Sequence, residues 1–260
     1  MKKRAILSIS FGVNNPDMMR RNLIPLEDDY KALYPGFIVY RALTNEAVVE
    51  EMRQQGDDSV YAVREVMARM VLDEVTHLYA QPAYILNGTE NDAVRQMVFS
   101  HKADFISVQC GTPLLTSHED TVRTCHALMN NREMDADEAL CLIGHGSRHY
   151  SNTVYCALDY TFKDLGYKNV HVGTFNAYPQ IDTVIKHLKE TDIKKVTVSP
   201  FMFMAGDAAM EGVCGDSETS MKSRLEAAGF QVRVDPRCLG EYEAIRRIYT
   251  DHLKTCTDMD

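Results

Sequence analysis

Apolar runs that end at a glycine recur along this chain and constrain its fold more than any other feature. In the clearest case, residues 140–143 are apolar and are followed by Gly144, His145 and Gly146. Such a run predicts a buried strand, and the glycines mark a sharp turn or a close backbone approach. An imidazole at the carboxyl end of this strand projects to where open α/β sheets bind ligands. It is also well suited to proton or metal chemistry near neutral pH.

Three further apolar runs end in the same way, at Gly12, Gly88 and Gly206, so that each half of the chain holds two runs. Segments with helical spacing of apolar residues separate them. Alternating strands and helices predict parallel sheets with helices on both faces. We therefore predict an α/β fold with two similar halves and a cleft lined by the four strand ends. A generic alternation of strand, glycine and helix is the alternative explanation.

The predicted elements follow this alternation. The predicted strands are 5–12, 37–41, 76–86 with a break at Pro82, 105–108, 139–144, 168–174, 194–204 and 230–234. The predicted helices are 15–33, 45–55, one that begins at 57 or 58, 90–101, 119–131, 151–165, 179–190, 216–228 and 241–255. The polar segment 131–138 predicts a boundary between an N-terminal α/β domain, 1–134, and a C-terminal α/β domain, 135–260.

The overall composition excludes several classes of partner. A formal net charge of −9 argues against nucleic acid or an anionic membrane surface as a partner. No apolar stretch reaches the length of a membrane span, and the run after the basic N-terminus is too short for a signal peptide, so we expect a cytoplasmic protein. The seven cysteines form no C-x-x-C pair, and we expect reduced thiols.

Six short motifs occur in order along nearly the whole chain. They are Ser10-Phe11-Gly12, Leu86-Asn87-Gly88-x-Glu90, Gly111-x-Pro113-Leu114-Leu115-x-Ser117-His118, Gly144-His145-Gly146, Tyr178-Pro179-x-x-Asp182 and Ala205-Gly206-Asp207. Together they resemble the anaerobic sirohydrochlorin cobaltochelatases, the CbiK-type class II chelatases. The resemblance implies two flavodoxin-like domains with a tetrapyrrole in the inter-domain cleft. It also implies ATP-independent insertion of Co²⁺ into sirohydrochlorin in anaerobic cobalamin biosynthesis, by a homo-oligomer.

The resemblance also implies a set of metal ligands, which this chain keeps only in part. Members of the family generally place two histidines and a glutamate around the metal, and the first histidine matches His145. Asn176 stands at the position of the glutamate, Ala208 at that of the second histidine, and Tyr84 where the family often has a further histidine. A carboxamide is a weaker ligand than a carboxylate, and a methyl group is no ligand.

The candidate site therefore centres on His145, predicted as the catalytic base and as a metal ligand. Glu90 and Asp207 are the other predicted metal ligands, although each also suits the first turn of a helix, where the dipole favours an acidic side chain. The predicted substrate-binding residues are Ser10, Phe11, Gly12, Tyr84, Gly88, Pro113, Leu114, Leu115, Gly144, Gly146, Asn176 and Ala208.

Two hypotheses fit this site, and a third ranks below them. The first is a sirohydrochlorin cobaltochelatase-like lyase that takes Co²⁺ or a related divalent ion as its substrate metal. The second is a tetrapyrrole- or haem-binding carrier, store or sensor, in which His145 is an axial ligand to iron already in the ring. The third is a nucleotide- or phosphate-binding protein, but the chain lacks both G-x-G-x-x-G and the Walker A pattern.

Overall fold

The computed structural model describes residues 2–130 and 132–257. The strands are β1 Arg4–Ser10, β2 Ile38–Leu43, β3 His77–Pro82, β4 Ser107–Cys110, β5 Glu138–Gly144, β6 Val170–Thr174, β7 Lys195–Pro200 and β8 Gln231–Val234. The α-helices are α1 Pro16–Leu33, α2 Glu46–Gln54, α3 Val63–Leu72, α4 Thr89–Ser100, α5 His118–Met129, α6 Val154–Asp164, α7 Ile181–Lys189, α8 Asp207–Cys214, α9 Met221–Ala227 and α10 Glu243–Thr257. Asn131, where the predicted fifth helix ends, lies outside the described residues.

Within the described residues, the strands form two parallel sheets of four. Their orders are β2-β1-β3-β4 and β6-β5-β7-β8, so both sheets follow one plan. The central strands β1, β3, β5 and β7 are buried along almost their entire length. This is the pattern of parallel strands whose two faces are both covered, which explains their continuous apolar runs. The predicted α/β fold with parallel sheets is confirmed.

Contacts group the described residues into two units, 2–116 with 243–257, and 117–242. This grouping differs in two places from the predicted division after Met134. Helix α5 packs on α6 and belongs to the second unit, whereas α10 belongs to the first. The first unit holds α10 through its buried apolar face and through Tyr249, whose hydroxyl donates to the Tyr84 carbonyl oxygen at 2.9 Å.

Two prolines and one short helix account for the main differences from the predicted elements. Strand β3 ends at Pro82, where the break is predicted, and β7 ends at Pro200, earlier than the predicted 204, because a proline has no N–H to continue a ladder. Helix α8 lies in a stretch for which no element was predicted. It has only two turns and contains Gly212, so its helical signal in the sequence is weak.

Among the described residues, no helix combines the length and the apolar character needed to span a bilayer.

Candidate functional site

His145 directly follows β5, the central strand that pairs with both β6 and β7. The strand is buried, but the His145 side chain is exposed at its carboxyl end. The two flanking glycines are needed for different reasons. A Cβ on Gly144 would lie 2.3 Å from the Tyr155 ring, and Gly146 has a φ of +80°, which disfavours other residues.

The hydrogen bond of His145 fixes which ring nitrogen is available for chemistry. Its Nδ1 lies 3.1 Å from the Gly146 carbonyl oxygen. A carbonyl oxygen only accepts hydrogen bonds, so Nδ1 carries the proton in the neutral ring. The lone pair on Nε2 is then available to take a proton or to bind a metal ion.

His149 lies in the same loop but presents the opposite ring nitrogen. The Ser151 backbone N–H donates to Nδ1 of His149 at 3.2 Å, and the Ser151 hydroxyl lies 2.9 Å from it. Since Nδ1 accepts, Nε2 carries the proton when the ring is neutral. His149 therefore serves as a cap for the short 3₁₀ helix Tyr150–Thr153, and its neutral ring offers no lone pair at Nε2.

The segment after β6 runs directly beside His145. The backbone N–H groups of Phe175 and Asn176 donate to the carbonyl oxygens of Gly144 and His145, at 3.1 and 3.2 Å. The Asn176 side chain is exposed, and its carboxamide has no hydrogen-bond partner within the described residues. The sequence-predicted neighbours His145 and Asn176 are thus brought together at one edge of the sheet.

Asn152 joins the two loops, and the sequence reasoning missed it. Its Oδ1 accepts from the Ser147 N–H at 2.9 Å, and its Nδ2 donates to the Tyr178 carbonyl oxygen at 2.7 Å. One side chain therefore links the loop after β5 to the loop after β6. An amide in the turn after a strand-end histidine was the available signal, because its side chain can satisfy one donor and one acceptor at once.

Asp207 and Ala208 lie at the carboxyl end of β7, the other neighbour of β5. They begin helix α8, which Gly206 caps, and both side chains are exposed. Asp207 therefore occupies a first helical turn, where its charge favours the dipole. The Ala208 methyl group offers no donor at the position implied for a second histidine.

In the described residues, no group of three or more His, Cys, Asp and Glu side chains is arranged to hold a metal ion. His145 and Asp207 belong to the second unit, and Glu90 belongs to the first. The metal-binding role of these three residues stays a prediction. It requires that most of the donor atoms come from the tetrapyrrole.

The first unit has a corresponding strand end, where Ser10, Phe11 and Gly12 close β1. Ser10 is buried, and its hydroxyl has no hydrogen-bond partner in the described part of the chain. Phe11 is 51% exposed, and Gly12 has a φ of +93°. Phe11 and Glu90 line a cavity of about 200 Å³ with an apolar floor that includes Leu43.

Tyr84 and Gly88 lie in the segment between β3 and α4. The Tyr84 hydroxyl is 2.7 Å from Thr44 Oγ1, and burial raises the pKa of Tyr84 to about 12. Its phenol is therefore neutral at physiological pH and acts as a hydrogen-bonding group. Gly88 is buried and caps α4, in whose first turn Glu90 lies exposed.

Pro113, Leu114 and Leu115 are buried in the first unit. The N–H groups of Leu114 and Leu115 donate to the carbonyl oxygens of Tyr84 and Ile85, each at 2.9 Å. These contacts give the segment a role in packing, since its N–H groups hold the chain that follows β3. A substrate contact from any of the three stays a prediction.

Comparison with known proteins identifies the family. The family model described as cobalt chelatase (CbiK) matches residues 4–258. The chain belongs to the cobalt chelatase (CbiK) family. The resemblance predicted from the motifs, and with it the predicted class of enzyme, is confirmed.

Two relatives and two solved structures agree with this family. The sirohydrochlorin cobaltochelatase of Salmonella typhimurium is 28% identical over 258 residues, covering 99% of this chain and 97% of the relative. Sirohydrochlorin cobaltochelatase CbiKC of Nitratidesulfovibrio vulgaris is 28% identical over 257 residues, covering 97% of this chain and 90% of the relative. Structures of SirB from Bacillus subtilis with Fe³⁺ and, for subspecies spizizenii, with cobalt have TM-scores of 0.69 and 0.65. The Fe³⁺ structure is 14% identical and covers 99% of this chain and 97% of the SirB chain. The cobalt structure is 13% identical and covers 98% of this chain and 96% of the SirB chain. Both show that this chain has the chelatase fold.

Proposed function

We propose that this protein is a sirohydrochlorin cobaltochelatase, which inserts Co²⁺ into the tetrapyrrole without ATP in anaerobic cobalamin biosynthesis. The observation that carries the proposal is the exposed His145 at the carboxyl end of the central strand, whose Nδ1 contacts the Gly146 carbonyl oxygen and leaves Nε2 for chemistry. Membership of the cobalt chelatase family and the full-length relatives support it.

The reaction needs a base more than it needs a resident metal site. Insertion exchanges two pyrrole N–H protons for one Co²⁺ ion, and the ring nitrogens become its ligands. His145 Nε2 accepts these protons one at a time and releases each to water, since an imidazole exchanges protons readily near neutral pH. The hydrogen bond from Nδ1 to Gly146 holds the ring in the tautomer that this step requires.

Co²⁺ approaches as a substrate, and His145 and Asp207 are the groups at this edge of the sheet that suit a divalent ion. Asn176 contributes a neutral carboxamide oxygen beside them. The ring nitrogens provide the remaining donors as the protons leave. We therefore expect weak binding of free Co²⁺ and much tighter joint binding of metal and tetrapyrrole.

An anaerobic optical assay tests the proposal. Purified protein is mixed with sirohydrochlorin and Co²⁺, and the metallated spectrum is followed over many turnovers. The controls are a mixture without protein and the His145→Ala variant. Multiple turnovers by the wild-type protein, with loss in the variant, support the proposal. A rate equal to that without protein contradicts it.

A second candidate is a tetrapyrrole- or haem-binding protein that does not insert metal. Two observations favour it, the residues Asn176 and Ala208 and the absence of a three-residue ligand group in the described residues. A protein that binds a finished metallotetrapyrrole needs only one axial ligand, which His145 supplies. On this reading sirohydrochlorin or haem shifts the spectrum on binding, but the protein does not accelerate insertion.

Restoring the implied ligands tests whether positions 176 and 208 face the metal. We expect the double variant Asn176→Glu with Ala208→His to bind free Co²⁺ more tightly than the wild type in calorimetry, because it adds a carboxylate and an imidazole beside His145. The matched control is Asn176→Gln with Ala208→Asn, which adds bulk without such donors. No gain over that control would mean that the two positions do not face the metal.

A homo-oligomer and a cytoplasmic location are part of the same proposal, and both come from the resemblance and the composition. Size-exclusion chromatography with light scattering tests the first. Cell fractionation tests the second.

A further inference from the structure

Arg148 lies three residues after His145, in the loop between β5 and α6. Its side chain is exposed. Within the described residues, its guanidinium has no hydrogen bond, ion pair or ring contact. A guanidinium carries five N–H donors in a planar fork that matches a carboxylate, so this group is free to bind one.

The other arginines of the second unit behave differently. Each of them forms an ion pair with a carboxylate in the described structure: Arg123 with Asp120, Arg132 and Arg237 with Asp235, Arg224 with Asp182, and Arg233 with Glu138. Arg148 is the exception in this part of the described chain. It is also the arginine beside the candidate base.

The backbone on both sides of Arg148 is anchored. The Ser147 N–H donates to Asn152 Oδ1 at 2.9 Å, and the His149 N–H donates to Ser147 Oγ at 3.1 Å. A fixed backbone lowers the entropy lost when the side chain binds a ligand. The loop therefore holds the Arg148 backbone at a defined position, three residues after His145.

The charge around Arg148 favours an anion. Residues 145–153 and 175–180, the two loops that Asn152 joins, contain no Asp or Glu. At the carboxyl end of β7, Asp207 has an interaction of its own. An acidic group entering beside His145 thus meets a cation without a competing carboxylate in either loop.

We propose that Arg148 binds a carboxylate side chain of the tetrapyrrole and selects a polycarboxylate ring over a porphyrin with few acidic groups. This inference rests on the proposed function and adds a specificity residue to it. Sirohydrochlorin carries acetate and propionate side chains around the whole ring, whereas protoporphyrin keeps only a pair of propionates. A polycarboxylate ring therefore reaches Arg148 in more orientations, including the one that places its nitrogens at His145.

Arg64 in the first unit gives a useful contrast. It too has no described partner, but it lines the cavity that Glu46 and Glu90 also line. Two carboxylates that line the same cavity do not favour the binding of a further anion there. The inference is therefore confined to Arg148.

The test is a metal-free fluorescence titration with two probes, sirohydrochlorin and protoporphyrin IX. For Arg148→Gln we expect about tenfold weaker binding of sirohydrochlorin, the usual scale for a lost charged hydrogen bond. We expect a much smaller change for protoporphyrin IX, and Arg148→Lys restores part of the loss because it keeps the charge but not the fork. Arg224→Gln is the matched control, since it removes the same charge from the same unit at an arginine that is already paired.

The outcomes separate this inference from the proposed function. If Arg148→Gln binds sirohydrochlorin as tightly as the wild type, or loses both probes equally, the specificity role is wrong and the chelatase proposal stands. If the wild-type protein binds neither probe, both proposals are wrong. In the supporting result, rising ionic strength reduces the preference of the wild-type protein for sirohydrochlorin over protoporphyrin IX but has no such effect on Arg148→Gln. The reason is that salt screens an exposed ion pair.

Discussion

The ends of β1 and β5 have nearly the same backbone and very different chemistry. Each strand is the second in the order of its sheet and is followed by one exposed residue and then a glycine with positive φ. That exposed residue is Phe11 in the first unit and His145 in the second. The same backbone position therefore occurs once in each unit, and only the position in the second unit carries a titratable ring.

The repeat extends to the neighbouring strands. The N–H groups of Ala83 and Phe201, each following a strand that ends in proline, donate to Ile9 and Ile143 at 2.7 Å in both cases. Asn45 and Asn176 likewise donate their N–H groups to Phe11 and His145, at 3.0 and 3.2 Å. A shared backbone thus does not imply a shared function, since the function depends on the side chain placed at the strand end.

The largest difference in activity is expected when His145 is replaced by phenylalanine, the residue at the corresponding position of the first unit. For His145→Phe we expect kcat for Co²⁺ insertion to fall by about 10²–10⁴-fold, the usual contribution of a general base. Phe11→Ala removes the corresponding ring in the first unit and is expected to act through KM instead. Steady-state kinetics measures both, and an equal loss of kcat in the two variants would mean that His145 is not the base.

Acid should destabilise the second unit through His171. Burial, with a further contribution from Lys163, lowers the pKa of His171 to about 4. An unfolded histidine has a pKa near 6.5, so between these values the unfolded chain binds a proton that the folded chain does not. Stability is therefore complete above about pH 6.5 and falls by roughly 3 kcal/mol as the pH drops to about 4.

Denaturation in urea across this pH range checks the His171 prediction. The His171→Leu variant should lose this part of the pH dependence, and an unchanged slope in that variant would contradict it. The corresponding strand position in the first unit is Tyr40, since Leu7 pairs with Tyr40 where Cys141 pairs with His171. Burial raises the pKa of Tyr40 to about 12, so no titration is expected there.

The two strand-end glycines should differ in what they tolerate. Both Gly12→Ala and Gly146→Ala force a side chain into positive φ, at a cost of roughly 1–3 kcal/mol. The added Cβ would lie 3.0 Å from the Leu43 side chain at Gly12, but 3.0 Å from the Ala177 backbone nitrogen at Gly146. A flexible side chain moves more easily than backbone, so we expect Gly146→Ala to lower the free energy of unfolding more. The reverse order in urea denaturation would contradict this.

The smallest effect is expected at Asn152, a positioning residue. Asn152→Asp keeps the acceptor for the Ser147 N–H but loses the donor to the Tyr178 carbonyl oxygen. One lost hydrogen bond costs about 1 kcal/mol, and the loop that carries Asn176 loses a tether. We expect a modest rise in KM for sirohydrochlorin with little change in kcat, because the variant leaves His145, the proposed base, in place. The shorter side chain of Asn152→Ser reaches neither partner, so this variant loses both hydrogen bonds and should raise KM further.

Much of the architecture follows from the sequence because its signals are local. The apolar runs, the glycines and the alternation with helices predict the parallel sheets and place His145 at a strand end. The exceptions have a local cause as well: Pro82 and Pro200 end their strands before the apolar runs end, and α8 has too few residues for a clear period. The segment 113–115 shows what a motif alone does not reveal, since its side chains are buried in the first unit and its substrate contact stays a prediction.

By itself, the sequence determined the α/β class and the repeated strand ends, and it placed His145, the predicted base, at one of them. Only the tertiary structure decided the tautomer of His145, the contacts of Asn152, the lack of a partner for Arg148 and the packing of α10 on the first unit. For Asn152 and for α10, the physical reason is distance along the chain. A strand or a turn is set by neighbouring residues, whereas Asn152 and Tyr178 are 26 residues apart and Tyr249 and Tyr84 are 165 apart, so these contacts form only when the chain has folded. The His145 contact joins neighbouring residues, but it depends on the loop conformation that the folded chain imposes.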